Sequence, residues 1–133
     1  MTHDVLIIGG GSAGYAAART ARDQGADVGI IDHGPLGGLC ILRGCMPTKT
    51  ILRSSDIISL MKRAEEFGLK PVAAEAILSN IIDRKARLIG EFAKDRIQAL
   101  KGSRFTLYED QASFLSPNEV RVCLLYTSPS PRD

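Results

Sequence analysis

Apolar and polar positions along the chain alternate in a way that predicts short strands and helices in turn. Val5-Leu6-Ile7-Ile8 is a continuous apolar run closed by Gly9, as expected of a strand buried on both faces in a parallel sheet. Ser12 to Gln24, rich in Ala and Arg and bounded by Gly25, predicts a helix with a glycine stop. Val28 to Asp32 reads as a second buried strand, so the first part of the chain is a βαβ unit. Gly34 to Gly38 is loop. Pro47 to Glu66 predicts a helix with proline in its first turn, where a missing N–H costs nothing. A second long helix is predicted from Ala73 to Leu100, its apolar stripe made by Ile77, Ile81, Ile82, Leu88, Ile89, Phe92 and Leu100. Phe105–Leu107, Ala112–Leu115 and Val120–Val122 predict short strands, the last two joined by the turn residues Ser116-Pro117-Asn118-Glu119. The expected class is α/β, with a parallel sheet interrupted by a long helical excursion.

Composition narrows the choices. The 133 residues are one domain's worth of length, and 44% are hydrophobic, enough to bury a core. A net charge of +2 offers no electrostatic reason to expect nucleic acid or an anionic membrane as a partner. No apolar run approaches the ~20 residues that span a bilayer. Met1 to Asp4 lacks the cationic and apolar regions of a secretory signal, so the expected location is cytoplasmic. The stretch from Cys123 to Asp133 changes character abruptly and reads as a non-native tail, leaving 1–122 as the N-terminal part of a domain.

Two motifs carry chemistry. Gly9-Gly10-Gly11-Ser12-Ala13-Gly14 fits G-x-G-x-x-G between a predicted strand and a predicted helix. Gly9 suits a tight turn, Gly11 a close backbone approach to a pyrophosphate, and Gly14 close packing of helix on strand. Helix-start amides would then face phosphate. Asp32 ends the second strand, where a carboxylate accepts hydrogen bonds from a ribose diol. The motif by itself does not separate FAD from NAD.

Cys40-Ile-Leu-Arg-Gly-Cys45 is C-x4-C, which is not zinc-knuckle spacing, and no second Cys/His pair completes four ligands. No metal site is expected, and His3 and His33 are expected at the surface. A disulfide needs Cα atoms roughly 4.4–6.8 Å apart. Five residues of ideal helix rise about 7.5 Å. The segment between the cysteines must therefore bend, and Gly44 is placed to allow it. Cys45 should lie just before a helix N-terminus, with Lys49 one turn further in, an environment that favours a thiolate. Cys40 is then the better candidate for exchange with a substrate.

Gly37-Gly38-Leu39-Cys40-Ile41-Leu42-Arg43-Gly44-Cys45-Met46-Pro47-Thr48-Lys49 resembles the active-site signature of the class I pyridine nucleotide–disulfide oxidoreductases, the family of dihydrolipoamide dehydrogenase, glutathione reductase and mercuric reductase. With the glycine loop ahead of it, the resemblance covers about Asp4 to Val122. It implies a Rossmann-like FAD-binding domain, here truncated, followed elsewhere by an NAD(P)-binding domain and a dimerisation domain. It implies two-electron flow between nicotinamide, flavin and a Cys40–Cys45 redox disulfide, with a small-molecule or lipoyl disulfide as substrate and a homodimer as the whole protein. Gly9, Gly11, Ser12, Ala13 and Gly14 would surround the FAD pyrophosphate, and Asp32 would hold the adenosine ribose. Gly38, Leu39 and Cys40 would line the phosphate and flavin side, Cys45 and Lys49 would lie by the flavin ring, and Ala112 would contact the adenine. Cys45 would be the thiol beside the flavin and Cys40 the interchange thiol. Leu39 stands where the family usually has Thr, Asp32 where it has Glu, and Ile41-Leu42-Arg43 replaces the commoner Asn-containing linker. Pro47-Thr48-Lys49 sits closer to lipoamide dehydrogenase and mercuric reductase than to glutathione reductase. The family's general base is not among these residues, so the chain alone is not expected to turn over. The alternatives are a mercuric or glutathione-type reductase and a non-catalytic flavin-binding module.

Overall fold

A computed structural model describes residues 1–123; the remainder of the expected tail, residues 124–133, lies outside them. In chain order the elements are β1 (Val5–Ile8), α1 (Ser12–Asp23), β2 (Val28–Ile31), α2 (Gly38–Leu42), α3 (Cys45–Lys62), a 3₁₀ turn (Ala64–Phe67), α4 (Leu78–Lys101), β3 (Thr106–Tyr108), β4 (Gln111–Ser116) and β5 (Glu119–Cys123). The chain divides into two compact units. Among the described residues, one comprises 1–38 and 96–123, the other 39–95.

The first unit is built on a parallel three-stranded sheet of order β1-β2-β3, with Val5 opposite Val28 and Ile30 opposite Leu107. All four residues of central β2 are buried. Val28 and Ile30 share one face and pack with Ala18 of α1, Leu36, Leu100 at the end of α4, and Phe105. Val5, Ile7, Tyr15, Ala21, Ile97 and Leu107 border that core. The expectation that β1 is buried on both faces is not met. Leu6 and Ile8 are 38% and 48% exposed: β1 is the edge strand, and the main core cluster lies against the face that carries Val5 and Ile7. β4 and β5 form a separate antiparallel hairpin, Ala112 opposite Val122, turned at Pro117-Asn118. That turn matches its sequence chemistry.

His3 departs from the expected surface position. Its side chain is only 9% exposed. Nδ1 lies 2.6 Å from Asp27 Oδ2 and Nε2 2.8 Å from the Tyr108 hydroxyl, with the two rings edge to face. Glycine at position 29 leaves room for it, since a Cβ there would fall 2.7 Å from the His3 ring. His33 is exposed as expected.

The second unit is helical. The helix expected from Pro47 begins two residues earlier, at Cys45, and yields to the 3₁₀ turn at Ala64. Arg84 of α4 donates to the Thr50 carbonyl of α3 at 3.1 Å. The helix expected from Ala73 starts only at Leu78. Ala73, Glu75, Ala76 and Ile77 are exposed, and intrinsic propensity without a buried face is too weak to hold a helical turn. No helix among the described residues is long and apolar enough to cross a membrane.

Candidate functional site

The glycine loop joins β1 to α1 and is tied to the end of β2. Gly9 N–H donates to the Ile31 carbonyl at 2.7 Å. Gly10 N–H donates to Asp32 Oδ2 at 2.6 Å and Gly34 N–H to Asp32 Oδ1 at 2.7 Å. Asp32 is thus a staple between the first loop and the turn after β2, a role its sequence position alone did not reveal. Each carboxylate oxygen keeps further acceptor capacity.

Gly14 is demanded by packing. A Cβ there would sit 1.8 Å from the Gly9 carbonyl oxygen and 3.2 Å from Ile7 Cγ2, so α1 lies directly on the loop, as the motif predicts. At Gly11, where the motif expects a close approach to a pyrophosphate, the crowding the structure shows is with Gly38. Gly38, at φ +75°, would place a Cβ 2.6 Å from Gly11 Cα, whereas a Cβ at Gly11 would find ordinary room. The two loops touch backbone to backbone.

The first α1 hydrogen bond runs from Tyr15 N–H to the Gly11 carbonyl at 2.9 Å. The amides of Ser12, Ala13 and Gly14 therefore have no partner within the helix, and no side chain caps this end. The arrangement can accept an anion through backbone N–H groups and the helix dipole.

A cleft of about 300 Å³ opens beside the loop, lined by Ile8, Gly9, Ile31, Asp32, His33, Asp110, Gln111 and Ala112. It brings together Gly9, Asp32 and Ala112, three of the expected contact residues that are far apart in sequence. Ile8, Ile31, His33, Asp110 and Gln111 were not anticipated. The usable signal was their position just at or after the carboxyl ends of parallel strands, where α/β sheets bind ligands.

The cysteine pair lies in the helical unit. α2 carries Cys40, the chain breaks at Arg43–Gly44, and Cys45 is the first residue of α3. The break between the cysteines is the expected one, although Cys45 lies within the helix and not before it. Cys40 is half-buried and Cys45 exposed, both as thiols. The Cys45 thiol is held above the ordinary thiol range, first by its hydrogen bond with Cys40, then by the adjacent Cys40 charge, and then by burial. A backbone hydrogen bond at Cys45 and the Lys49 cation act in the opposite direction. The expectation of a stable Cys45 thiolate therefore needs correction for the dithiol form. The backbone hydrogen bond and Lys49 do pull the pKa down, but Cys40 next to it outweighs them. Leu39 is 73% exposed, and Lys49 is an exposed residue on the second turn of α3. No group of three or more His, Cys, Asp or Glu side chains suited to a metal ion occurs among the described residues.

Comparison with known proteins follows the same lines. Residues 3–126 match the family model described as pyridine nucleotide-disulphide oxidoreductase. The chain is 37% identical over 120 residues to a dihydrolipoyl dehydrogenase of Bacillus subtilis, covering 89% of this chain and 26% of that protein. It is 37% identical over 121 residues to a mercuric reductase of Lysinibacillus sphaericus, covering 90% of this chain and 22% of that protein. An HOCl-induced flavoprotein disulfide reductase from Escherichia coli, solved as a Cu(II) complex, shares the fold with a TM-score of 0.69 at 24% identity, covering 90% of this chain and 24% of the other. The chain thus spans about a quarter of the length of the curated relatives it matches.

Proposed function

Since this chain belongs to the pyridine nucleotide–disulphide oxidoreductase family, we propose that the whole protein is an FAD-dependent, NAD(P)-linked disulfide oxidoreductase of the dihydrolipoyl dehydrogenase kind. The observation that carries this reading is the pair of neighbouring thiols, Cys40 and Cys45, set across a helix break with Lys49 acting on the second. A lipoyl or small-molecule disulfide is the substrate, and a cytoplasmic homodimer the working form.

The nucleotide end of the flavin fits what the first unit offers. The uncapped amides of Ser12, Ala13 and Gly14, with Gly9 and Gly11, would hold the pyrophosphate. Asp32 would hold the ribose through its remaining lone pairs, and Ala112 would border the adenine in the cleft. By their place in the family signature, Gly38, Leu39, Cys40, Cys45 and Lys49 are assigned to the flavin side. When bound, the flavin supplies the two-electron link between a nicotinamide and a thiol pair.

The thiols perform the exchange. The Cys40 thiolate attacks a substrate disulfide; that S–S bond breaks, a mixed disulfide forms, and one substrate thiolate leaves and takes up a proton. The Cys45 thiolate then attacks the Cys40 sulfur, closing the Cys40–Cys45 disulfide and expelling the second substrate thiolate. Two electrons have passed from the pair to the substrate, and the lipoyl direction is the reverse. The electrostatics suit this order. Committing Cys40 to a mixed disulfide removes the hydrogen bond and the charge that hold the Cys45 proton, and leaves the pull of Lys49.

The test is Cys45→Ser in the whole flavoprotein. Loss of the long-wavelength flavin absorbance of the two-electron-reduced enzyme is expected. An unchanged spectrum refutes the assignment and favours a non-catalytic flavin-binding module.

A further inference from the structure

The spacing of the two thiols depends on how Gly44 is held. Gly44 lies against the α2 turn that carries Cys40. A Cβ at Gly44 would sit 3.1 Å from the Leu39 carbonyl oxygen and 3.3 Å from Cys40 Cα, both backbone atoms. The Leu39 carbonyl is itself fixed, accepting the Arg43 N–H at 2.9 Å. Gly44 is therefore the point at which the end of α2 and the start of α3 press together, between the two cysteines.

What keeps Gly44 there is mainly a side chain. Its carbonyl would ordinarily be anchored by the first hydrogen bond of α3, but that bond, from Thr48 N–H, is long at 3.4 Å. The Thr48 hydroxyl donates to the same carbonyl at 2.9 Å. It is the shorter of the two bonds and reaches outside the helix to the residue that precedes Cys45. Thr48 is exposed, so its hydroxyl is not needed to fill a core. Thr50 supplies an internal comparison: its hydroxyl makes the same type of bond, to the Met46 carbonyl at 2.8 Å, wholly within α3 and not to the turn between the cysteines.

We propose that Thr48 is a positioning residue for the redox pair: its hydroxyl, by holding the Gly44 carbonyl, sets the effective concentration of Cys40 and Cys45 toward each other. Thr48 touches neither thiol in this role and is not a catalytic residue. The inference rests on the reading of Cys40 and Cys45 as a redox pair.

The reaction that reads it is Cys40–Cys45 disulfide + 2 glutathione ⇌ dithiol + glutathione disulfide, which conserves atoms and electrons. The chain is equilibrated in glutathione redox buffers and the remaining free thiols are trapped by alkylation, with Cys123 replaced by Ser throughout so that two thiols are counted. Thr48→Val keeps the shape and removes the hydroxyl, Thr48→Ser keeps the hydroxyl, and Thr50→Val removes the comparison bond. Thr48→Val is expected to weaken the disulfide about tenfold, which is about 30 mV for this two-electron couple. Thr48→Ser is expected to stay within about twofold of the parent and Thr50→Val likewise. Far-UV circular dichroism follows helix content, so a change that Thr50→Val reproduces is a general effect on α3 and overturns the proposal. A Thr48→Val equilibrium equal to that of the parent also overturns it while leaving the redox pair standing. Failure of the parent itself to form the Cys40–Cys45 disulfide overturns both.

Discussion

Gly14 and Gly90 are both glycines inside helices, and helix propensity treats them alike: alanine should gain roughly 0.5–1 kcal/mol at either. The structure separates them. A Cβ at Gly90 meets nothing within 4 Å, whereas one at Gly14 would lie 1.8 Å from the Gly9 carbonyl oxygen. Real Cβ contacts essentially never fall below 3.0 Å, so α1 and the loop must separate by about 1.2 Å, the difference between these two distances. That movement pulls on a loop held by two short bonds, Gly9 N–H to the Ile31 carbonyl and Gly10 N–H to the Asp32 carboxylate. Overpacking of this kind costs about 1–3 kcal/mol, and loss of a hydrogen bond to a charged group about 1.5–3 kcal/mol. Set against the propensity gain, Gly14→Ala should lose about 3 kcal/mol, while Gly90→Ala should gain up to about 1 kcal/mol. With a urea slope of about 2 kcal/mol/M, the Gly14→Ala midpoint falls by roughly 1.5 M and the Gly90→Ala midpoint rises slightly. Urea denaturation followed by circular dichroism reads both. A Gly14→Ala midpoint at or above that of Gly90→Ala refutes the close packing of loop on helix.

Three further substitutions probe the thiol pair and the Asp32 staple. Cys40→Ala removes the two largest causes that raise the Cys45 pKa, so the pH profile of Cys45 alkylation should move to lower pH. Lys49→Met removes a lowering cause and should move the profile to higher pH; shifts in one common direction would overturn the account of the pair's electrostatics. Asp32→Ala strands the Gly10 and Gly34 amides, and should destabilise the chain by about 1–3 kcal/mol for each amide left unpaired. A thermal midpoint unchanged by Asp32→Ala would mean that the carboxylate serves ligand alone.

Much of this protein was legible in one dimension because its elements are set by local chemistry. β1 is a run of four apolar residues stopped by glycine, α1 ends at a glycine, and the β4–β5 turn falls on Pro117-Asn118. The G-x-G-x-x-G loop and the C-x4-C pair are legible for the same reason: phosphate approach and disulfide geometry each demand residue types at fixed spacing. What only the tertiary structure decided are the effects that depend on neighbours remote in sequence. One-sided burial of β1 follows from the core cluster lying against the Val5 and Ile7 face, and the late start of α4 from the exposure of Ala73, Glu75, Ala76 and Ile77. His3 is covered because Gly29 and Tyr108 make room for it. Asp32 looks in sequence like a ligand to a sugar, and in three dimensions it also staples two loops. The Cys45 environment shows the difference most directly. Helix start and Lys49 both point to a thiolate, and those are sequence facts. The stronger opposing influence is a second thiol brought alongside across the break at Gly44, and that neighbour exists only in the folded arrangement.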